Sequence, residues 1–146
     1  MGKIIWQHVH EPVDENTIKK IEDSFGIKFP HDYKDCIVKF NGGRPKPNIF
    51  NFVDDGEGTL GYLLSFTRDP KIETVYGLIS EYLPEYVFPF ATDSAGNMLC
   101  FDYRKDKHSP LIVFYDHEEE DEDAIESVCE SFTDLLESLH YDEDKY

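Results

Sequence analysis

The stretch that decides the fold is residues 87–103, which reads VFPFATDSAGNMLCFDY. Two apolar runs, residues 87–91 and 98–103, flank residues 92–97, where Asp, Ser, Gly and Asn favour a turn. Apolar runs on either side of a turn are typical of paired strands. We therefore predict a β-hairpin near the centre of the chain.

Further strands are predicted on both sides of this hairpin. Residues 111–115 are apolar at every position, as expected of a strand that is covered on both faces or lies centrally in a sheet. Residues 49–53 and 59–67 have the composition of two more strands, connected by the acidic, glycine-containing stretch 54–58. Most of the sheet is therefore expected in the middle of the chain.

The N-terminal part favours two helices. Asp14 can cap the first helix, and Gly26 can end it in a left-handed conformation. Pro30 suits the first turn of the second helix, which is expected to end at the turn Asn41-Gly42-Gly43. The apolar residues that recur at helical spacing in the two segments are Ile18, Ile21, Phe25, Tyr33, Cys36, Ile37 and Phe40.

Two later segments also have a helical period. Residues 72–83 are predicted to form a helix that Pro84 stops. The last helix is predicted over residues 125–139, with Phe132 and Leu135 buried against the sheet. Its apolar residues are Ile125, Val128, Cys129, Phe132, Leu135, Leu136 and Leu139. The predicted fold class is α+β: a single domain with a mostly antiparallel sheet of about five or six strands, packed against N-terminal and C-terminal helices.

Composition narrows the classes of function. The chain has 146 residues, the size of one domain, with 31 acidic and 14 basic residues and a net charge of −17. Residues 116–146 alone hold 14 acids and one base. Such a charge repels nucleic acid and anionic membranes and favours a basic protein partner. We divide the chain into a domain over residues 1–140 and an acidic tail over residues 141–146.

The sequence contains neither a catalytic motif nor a metal-binding motif. It has no GxSxG, HExxH or phosphate-binding glycine loop, so we expect neither enzymatic activity nor a cofactor. The stretch 54–58 lacks the length of a calcium loop, and His8 and His10, expected on one face of a strand, are too few for zinc. Without a membrane-length apolar run or a secretory signal, the expected location is the cytoplasm.

Cysteine and tyrosine give two further expectations. Cys36, Cys100 and Cys129 lack CxxC spacing and lie in apolar stretches, so we expect buried free thiols rather than nucleophiles or metal ligands. Most aromatic side chains are expected in the core. Those left open as possible surface anchors for a partner are Tyr62, Tyr82 and Tyr86.

The acidic run, residues 118–123, permits two interpretations. In one, it is a solvated loop whose last acids lie at the positive N-terminus of the final helix. In the other, it mimics phosphates and enters the basic groove of a protein partner. Together with the acids of the stretch 54–58, it supplies the candidate partner-binding residues, which are Asp54, Asp55, Glu57, Glu118, Glu119, Glu120, Asp121, Glu122 and Asp123.

Several local signatures, in order, resemble the SUKH superfamily, also called the SMI/KNR-type domain. They are the helix end 21–27, the segment Phe29-Pro30-His31-Asp32-Tyr33-Lys34, the turn Asn41-Gly42-Gly43, the hairpin segments 90–93, 96–97 and 100–102, and the segment 131–136. The match extends over roughly residues 12–140. Phe29 stands where Leu is usual in the family, which is a conservative apolar exchange.

This resemblance implies a binding function. Bacterial members of the family are commonly immunity proteins that neutralise a cognate polymorphic toxin, often a nuclease, whereas fungal members act as regulatory interaction modules. The family has no shared catalytic residues. We therefore expect an immunity protein that covers the active groove of a toxin with a basic surface, and the alternative is a regulatory or scaffolding module without a toxin partner. The oligomeric state stays open.

Overall fold

The computed structural model describes residues 4–142. Within this range there are four α-helices and nine strands. The helices are α1 (Glu15–Phe25), α2 (His31–Phe40), α3 (Ile72–Ile79) and α4 (Phe132–Ser138). The strands are β1 (Ile5–Gln7), β2 (Arg44–Lys46), β3 (Ile49–Asn51), β4 (Glu57–Thr59), β5 (Tyr62–Leu63), β6 (Val87–Thr92), β7 (Met98–Asp102), β8 (Leu111–Tyr115) and β9 (Ile125–Cys129).

The main sheet has five antiparallel strands in the order β5-β6-β7-β8-β9. The predicted hairpin is confirmed as β6 and β7, with Thr92 opposite Met98 beside the turn. The apolar strand β8 lies inside the sheet, between β7 and β9, as its composition predicted. One row of paired residues crosses the whole sheet and defines one of its ends: Tyr62, Thr92, Met98, Tyr115 and Ile125.

Two small sheets flank the main one. The strands β3 and β4 form a hairpin, but their connection is residues 52–56 rather than the predicted 54–58, since Glu57 and Gly58 already pair with β3. Residues 59–67 do not form one strand as predicted, because the chain leaves β4 and joins the main sheet as β5. Gly61 allows this crossing: a Cβ there would lie 2.8 Å from the carbonyl oxygen of Thr92. The third pair, β1 with β2, was not predicted.

The predicted helix ends in the N-terminal part are confirmed. Asp14 accepts a hydrogen bond from the Thr17 backbone N–H and caps α1, and Gly26 ends the helix with φ of 73°. The second helix begins after Pro30 and ends at Phe40, directly before the Asn-Gly-Gly turn. The predicted helix over residues 72–83 is shorter, since α3 stops at Ile79 and a 3-10 turn follows.

The core is an aromatic cluster between the sheet and the helices. Tyr33 of α2 packs edge-on against Phe90 and Phe101 of the sheet, whose rings stack at 4.2 Å. Phe132 of α4 contacts all three rings. Phe132 and Leu135 are 1% and 0% exposed, so the predicted burial of this helix against the sheet is confirmed.

The predicted helix over residues 125–139 is wrong in its first half. Residues Ile125–Cys129 form β9, which pairs with β8, and only Phe132–Ser138 form a helix. Ser131 separates the two, because its side chain accepts a hydrogen bond from the Asp134 N–H and caps α4. Because Ile125 and Val128 are β-branched, residues 125–129 are more stable as a strand paired with β8 than as an extension of α4.

The predicted fold class, α+β with a mostly antiparallel sheet and helices from both ends of the chain, is confirmed. None of the helices within residues 4–142 is long and apolar enough to cross a bilayer. The acidic tail over residues 141–146 falls largely outside the described residues.

Candidate functional site

The acidic run forms the connection between β8 and β9. All six side chains, from Glu118 to Asp123, are exposed, and they line an open cavity of about 550 Å³. The run leaves the sheet after Tyr115 and returns at Ile125, so it lies at the sheet end defined above, next to edge strand β9. The expected position of the last acids at the N-terminus of the final helix is wrong, because residues 121–124 form a short 3-10 turn and the strand β9 follows.

Hydrogen bonds at its two ends hold this loop in place. Asp116 donates its N–H to the carbonyl of Ala124 (2.8 Å), and its own oxygens accept the N–H groups of Glu118 and Glu119. His117 donates its N–H to the Asn97 Oδ1 (3.1 Å), and its Nδ1 lies 2.6 Å from the same oxygen. The acidic loop is therefore fixed to the β6–β7 turn beside it.

Few cations compensate the charge of the acidic run. Among the described residues, the ion pair of the run joins Arg104 to Glu122 at 3.5 Å, and the Glu122 side chain remains 81% exposed. Arg104 is held more closely by Asp102, at 2.9 Å, and these hydrogen bonds raise the pKa of its guanidinium. Most of the negative charge therefore faces solvent.

The second acidic segment is at the tip of the β3–β4 hairpin. Asp54, Asp55 and Glu57 are exposed, and Glu57 pairs with His140 at 2.9 Å. The backbone N–H of Val53 donates to the carbonyl of Ser127 in β9, at 3.1 Å. The structure thus places both predicted acidic segments on elements that adjoin β9.

The cysteines have the environment of packed thiols. All three are free; Cys100 is buried as predicted, whereas Cys36 and Cys129 are half-buried. Burial raises the pKa of Cys36 to about 12 and that of Cys129 to about 11, and it raises the pKa of Cys100 further. A thiol with a raised pKa is a poor nucleophile at neutral pH.

The tyrosines left open by the sequence fall into two groups. Tyr82 and Tyr86 are 63% and 54% exposed, so both are available to a partner. Tyr86 has a positive φ of 68°. Tyr62 is half-buried, because the guanidinium of Arg44 lies over its ring at 4.9 Å from the centroid.

Sequence reasoning missed a polar cavity of about 420 Å³, called here the arginine pocket. Its walls come from three segments that are distant in the sequence: the residues after β1, the turn into β2, and the loop from β5 to α3. The side chains that give it polar character are His8, His10, Arg44, Tyr62, Ser65, Arg68 and Asp69. No spacing motif connects these residues, and the only sequence signal nearby was the Asn-Gly-Gly turn.

Asn41 of that turn supports the back of the arginine pocket. Its fully buried side chain donates to the Glu11 carbonyl (3.0 Å) and to Thr67 Oγ1 (2.8 Å), and accepts the Phe66 N–H (2.8 Å). Gly42 has φ of 70°, and a Cβ there would clash with the His10 imidazole. The turn therefore holds the N-terminal segment against the loop after β5.

The structure corrects the expected placement of the two histidines. β1 ends at Gln7, and His8 follows it with φ of 55°, so His8 and His10 do not share a strand face. Both instead line the arginine pocket. Within residues 4–142, no group of three or more His, Cys, Asp or Glu side chains is arranged to hold a metal ion.

A hydrogen-bonded Ser65–His10 pair in this pocket has the appearance of a nucleophile with its base. The Ser65 Oγ lies 2.9 Å from the His10 Nδ1. The same oxygen accepts the backbone N–H groups of Thr67 (3.2 Å) and Arg68 (3.0 Å), which occupies both of its lone pairs. The hydroxyl is thus engaged in holding the loop after β5.

Comparison with known proteins assigns the chain to a family. The SUKH family described as SMI1-KNR4 cell-wall matches residues 15–136, and the chain belongs to it. This family is generally a non-enzymatic, immunity-type domain, which supports a toxin-immunity role at the level of the family. The matched range includes the whole main sheet, all four α-helices except the last residues of α4, and both acidic segments.

One curated relative comes from a prophage. The chain is 26% identical, over 123 aligned positions, to the SPbeta prophage-derived uncharacterized protein YokK of Bacillus subtilis (strain 168). The alignment covers 69% of this chain and spans 60% of the length of that relative.

Proposed function

We propose that this protein is an immunity protein that binds a cognate toxin and blocks its active groove. The observation that carries the proposal is the acidic run, six consecutive carboxylates that are exposed and held on a fixed loop. Membership of a family known for immunity proteins supplies the class of partner. A toxin with a basic active groove, such as a nuclease, complements this charge.

The geometry of the loop supports recognition of a groove. Because Asp116 and His117 hold the run at its base, less of its backbone has to be ordered on binding, which lowers the entropic cost. Asp54, Asp55 and Glu57, on the hairpin beside β9, extend the negative surface. We assign both segments to the toxin-facing surface.

The remaining parts of the proposal concern chemistry and location. The raised thiol pKa values and the occupied Ser65 hydroxyl argue against covalent catalysis by these groups, so the protein acts by binding alone. No metal or cofactor enters this function. We place the protein in the cytoplasm, where a cell-internal toxin must be neutralised, with residues 1–140 as the binding domain and residues 141–146 as an acidic tail.

Association kinetics with the product of an adjacent toxin gene test the proposal. Neutralising the run by Glu118→Gln, Glu119→Gln, Glu120→Gln and Asp121→Asn should slow association more than it speeds dissociation, because rim charges mainly steer encounter. Raising salt from about 50 to 500 mM should also slow association by the wild type, since the Debye length contracts below about 10 Å. Stopped-flow fluorescence measures both rates.

A matched variant separates the run from the total charge. Glu73, Glu81, Glu85 and Glu137 are exposed acids on other elements, and changing all four to Gln alters the net charge equally. This control should leave the association rate much closer to that of the wild type. Equal slowing by both variants would contradict the assignment of the run, and failure of the protein to protect cells that express the toxin would contradict the immunity function itself.

A further inference from the structure

We propose that the arginine pocket binds a phosphate monoester through its oxyanion group. The pocket lies at the β5 edge of the main sheet, and the acidic run lies at the β9 edge, so this site is separate from the proposed toxin-facing surface. Arg44 and Arg68 both line it in a chain whose net charge is −17. Guanidinium groups keep their charge at any physiological pH and match the geometry of phosphate oxygens.

The protein orients both arginines without using up their donors. The guanidinium of Arg44 rests on the ring of Tyr62, and within residues 4–142 it makes no hydrogen bond or ion pair. Arg68 donates its Nε–H to Glu11 Oε1 at 2.9 Å, which leaves its two terminal amino groups for a ligand. Arg44 is therefore held through one face of its guanidinium and Arg68 through one N–H, and the other donors remain available to a ligand.

His10 adds a third donor. The Ser65 hydroxyl donates to His10 Nδ1, because its lone pairs already accept the Thr67 and Arg68 N–H groups. In the neutral imidazole the proton is then on Nε2, which becomes a hydrogen-bond donor. Burial, and then the charges of Arg68 and Arg44, lower the pKa of His10, while Glu11 opposes them. A bound anion would raise this pKa again.

Two acidic groups limit the strength of binding. Asp69 lines the pocket, and Glu11 pairs with Arg68 at 2.9 Å. Hydrogen bonds from its own backbone N–H, then from Arg68 and then from Thr67, lower the pKa of Glu11 to about 2, so its carboxyl group is ionised at neutral pH. Replacing Glu11 should therefore release Arg68 and strengthen binding of an anion. The cavity of about 420 Å³ has room for an organic group beside the phosphate.

Nuclear magnetic resonance titration of the whole protein tests the site, with inorganic phosphate and phenyl phosphate as probes. Both should shift the amide signals of Gly42, Arg44, Ser65 and Arg68 and raise the pKa of His10, whereas sodium chloride of equal ionic strength should not. Phenyl phosphate should bind more tightly than inorganic phosphate. Glu11→Gln should tighten binding of both.

Two variants on one strand provide the decisive comparison. Arg44→Gln and Lys46→Gln change the net charge equally and both lie on β2, but only Arg44 lines the pocket. Arg44→Gln should weaken phosphate binding by about tenfold or more, because a charge-assisted hydrogen bond is lost, and Lys46→Gln should change it little. Equal effects of the two variants, or no shifts with either probe, would overturn the proposal. Equal affinity for the two probes would overturn its monoester part.

Discussion

At the scale of single residues, two buried tyrosines differ in how their hydroxyls are satisfied. Tyr33 is 0% exposed, and its hydroxyl has no hydrogen-bond partner among the described residues. Tyr103 is 3% exposed, and its hydroxyl donates to the Lys28 carbonyl at 2.8 Å. Burial raises the pKa of both phenols. The ring of Tyr33 is required by the aromatic core, but its hydroxyl is not.

Replacement by phenylalanine should therefore act in opposite directions at these two sites. Tyr33→Phe removes an unpaired buried polar group and should raise the free energy of unfolding by about 1 kcal/mol, whereas Tyr103→Phe should lower it by about 1 kcal/mol. Urea denaturation measures both. A loss of stability in Tyr33→Phe as large as that in Tyr103→Phe would show that the Tyr33 hydroxyl does make a hydrogen bond.

At the scale of elements, the C-terminal part shows where apolar spacing is ambiguous. Ile125, Val128 and Cys129 have offsets that continue into Phe132 and Leu135, so the pattern predicted one helix. Contacts outside residues 125–129 determine that they form a strand. These residues pair with β8, and the Ser131 side chain caps a new helix after them. The helix α1 and the β6–β7 hairpin were predictable, because Asp14, Gly26 and the turn over residues 92–97 carry local signals.

The assignment of β9 can be tested by the sign of a stability change. Glu126 on β9 and Glu137 in α4 are both exposed, and replacing either by Thr removes one negative charge. Glu126→Thr should stabilise the protein by up to about 1 kcal/mol relative to Glu137→Thr, because Thr favours strands and disfavours helices. Chemical denaturation of both variants gives the difference. A Glu126→Thr variant less stable than Glu137→Thr would contradict the strand and indicate that residues 125–129 form a helix.

The candidate sites differ in how far sequence could predict them. The exposure of the acidic run could be predicted from the sequence, because six adjacent carboxylates can only be accommodated on the surface. The arginine pocket was not predicted, because His10, Arg44 and Arg68 meet only after three distant segments fold together. The Asn-Gly-Gly turn was predicted as a turn, but the buried contacts of Asn41 depend on the loop after β5.

At the scale of the whole molecule, the arginine pocket and the acidic run lie at the same end of the main sheet but at opposite edges of it. Tyr62 in the wall of the arginine pocket and Ile125 after the acidic run belong to the same row of paired residues. Four steps between neighbouring strands separate them by about 19 Å, at about 4.8 Å per step. A cationic pocket and an anionic loop thus occupy opposite edges of the same end.

The excess of negative charge should make folding stability depend on salt. Because most carboxylates of the acidic run lack a cation within residues 4–142, screening should relieve repulsion, and the midpoint of thermal unfolding should rise between about 10 and 300 mM salt. The variant with the run neutralised should be at least as stable as the wild type and less sensitive to salt. Circular dichroism measures both midpoints. A midpoint that falls with added salt would mean that favourable ion pairs outweigh the repulsion.

The two edge strands of the main sheet restrict the way a partner can bind. The edge strand β5 has only two residues. On β9, the Ser127 carbonyl already accepts a hydrogen bond from the Val53 N–H, and the exposed carboxylate of Glu126 lies next to it in the sequence. Short or occupied edges prevent a second chain from continuing a sheet by main-chain pairing. Recognition must then be carried by side chains, so a complex should form without gaining intermolecular β-structure, and the protein should resist templated aggregation even when it is produced in large amounts.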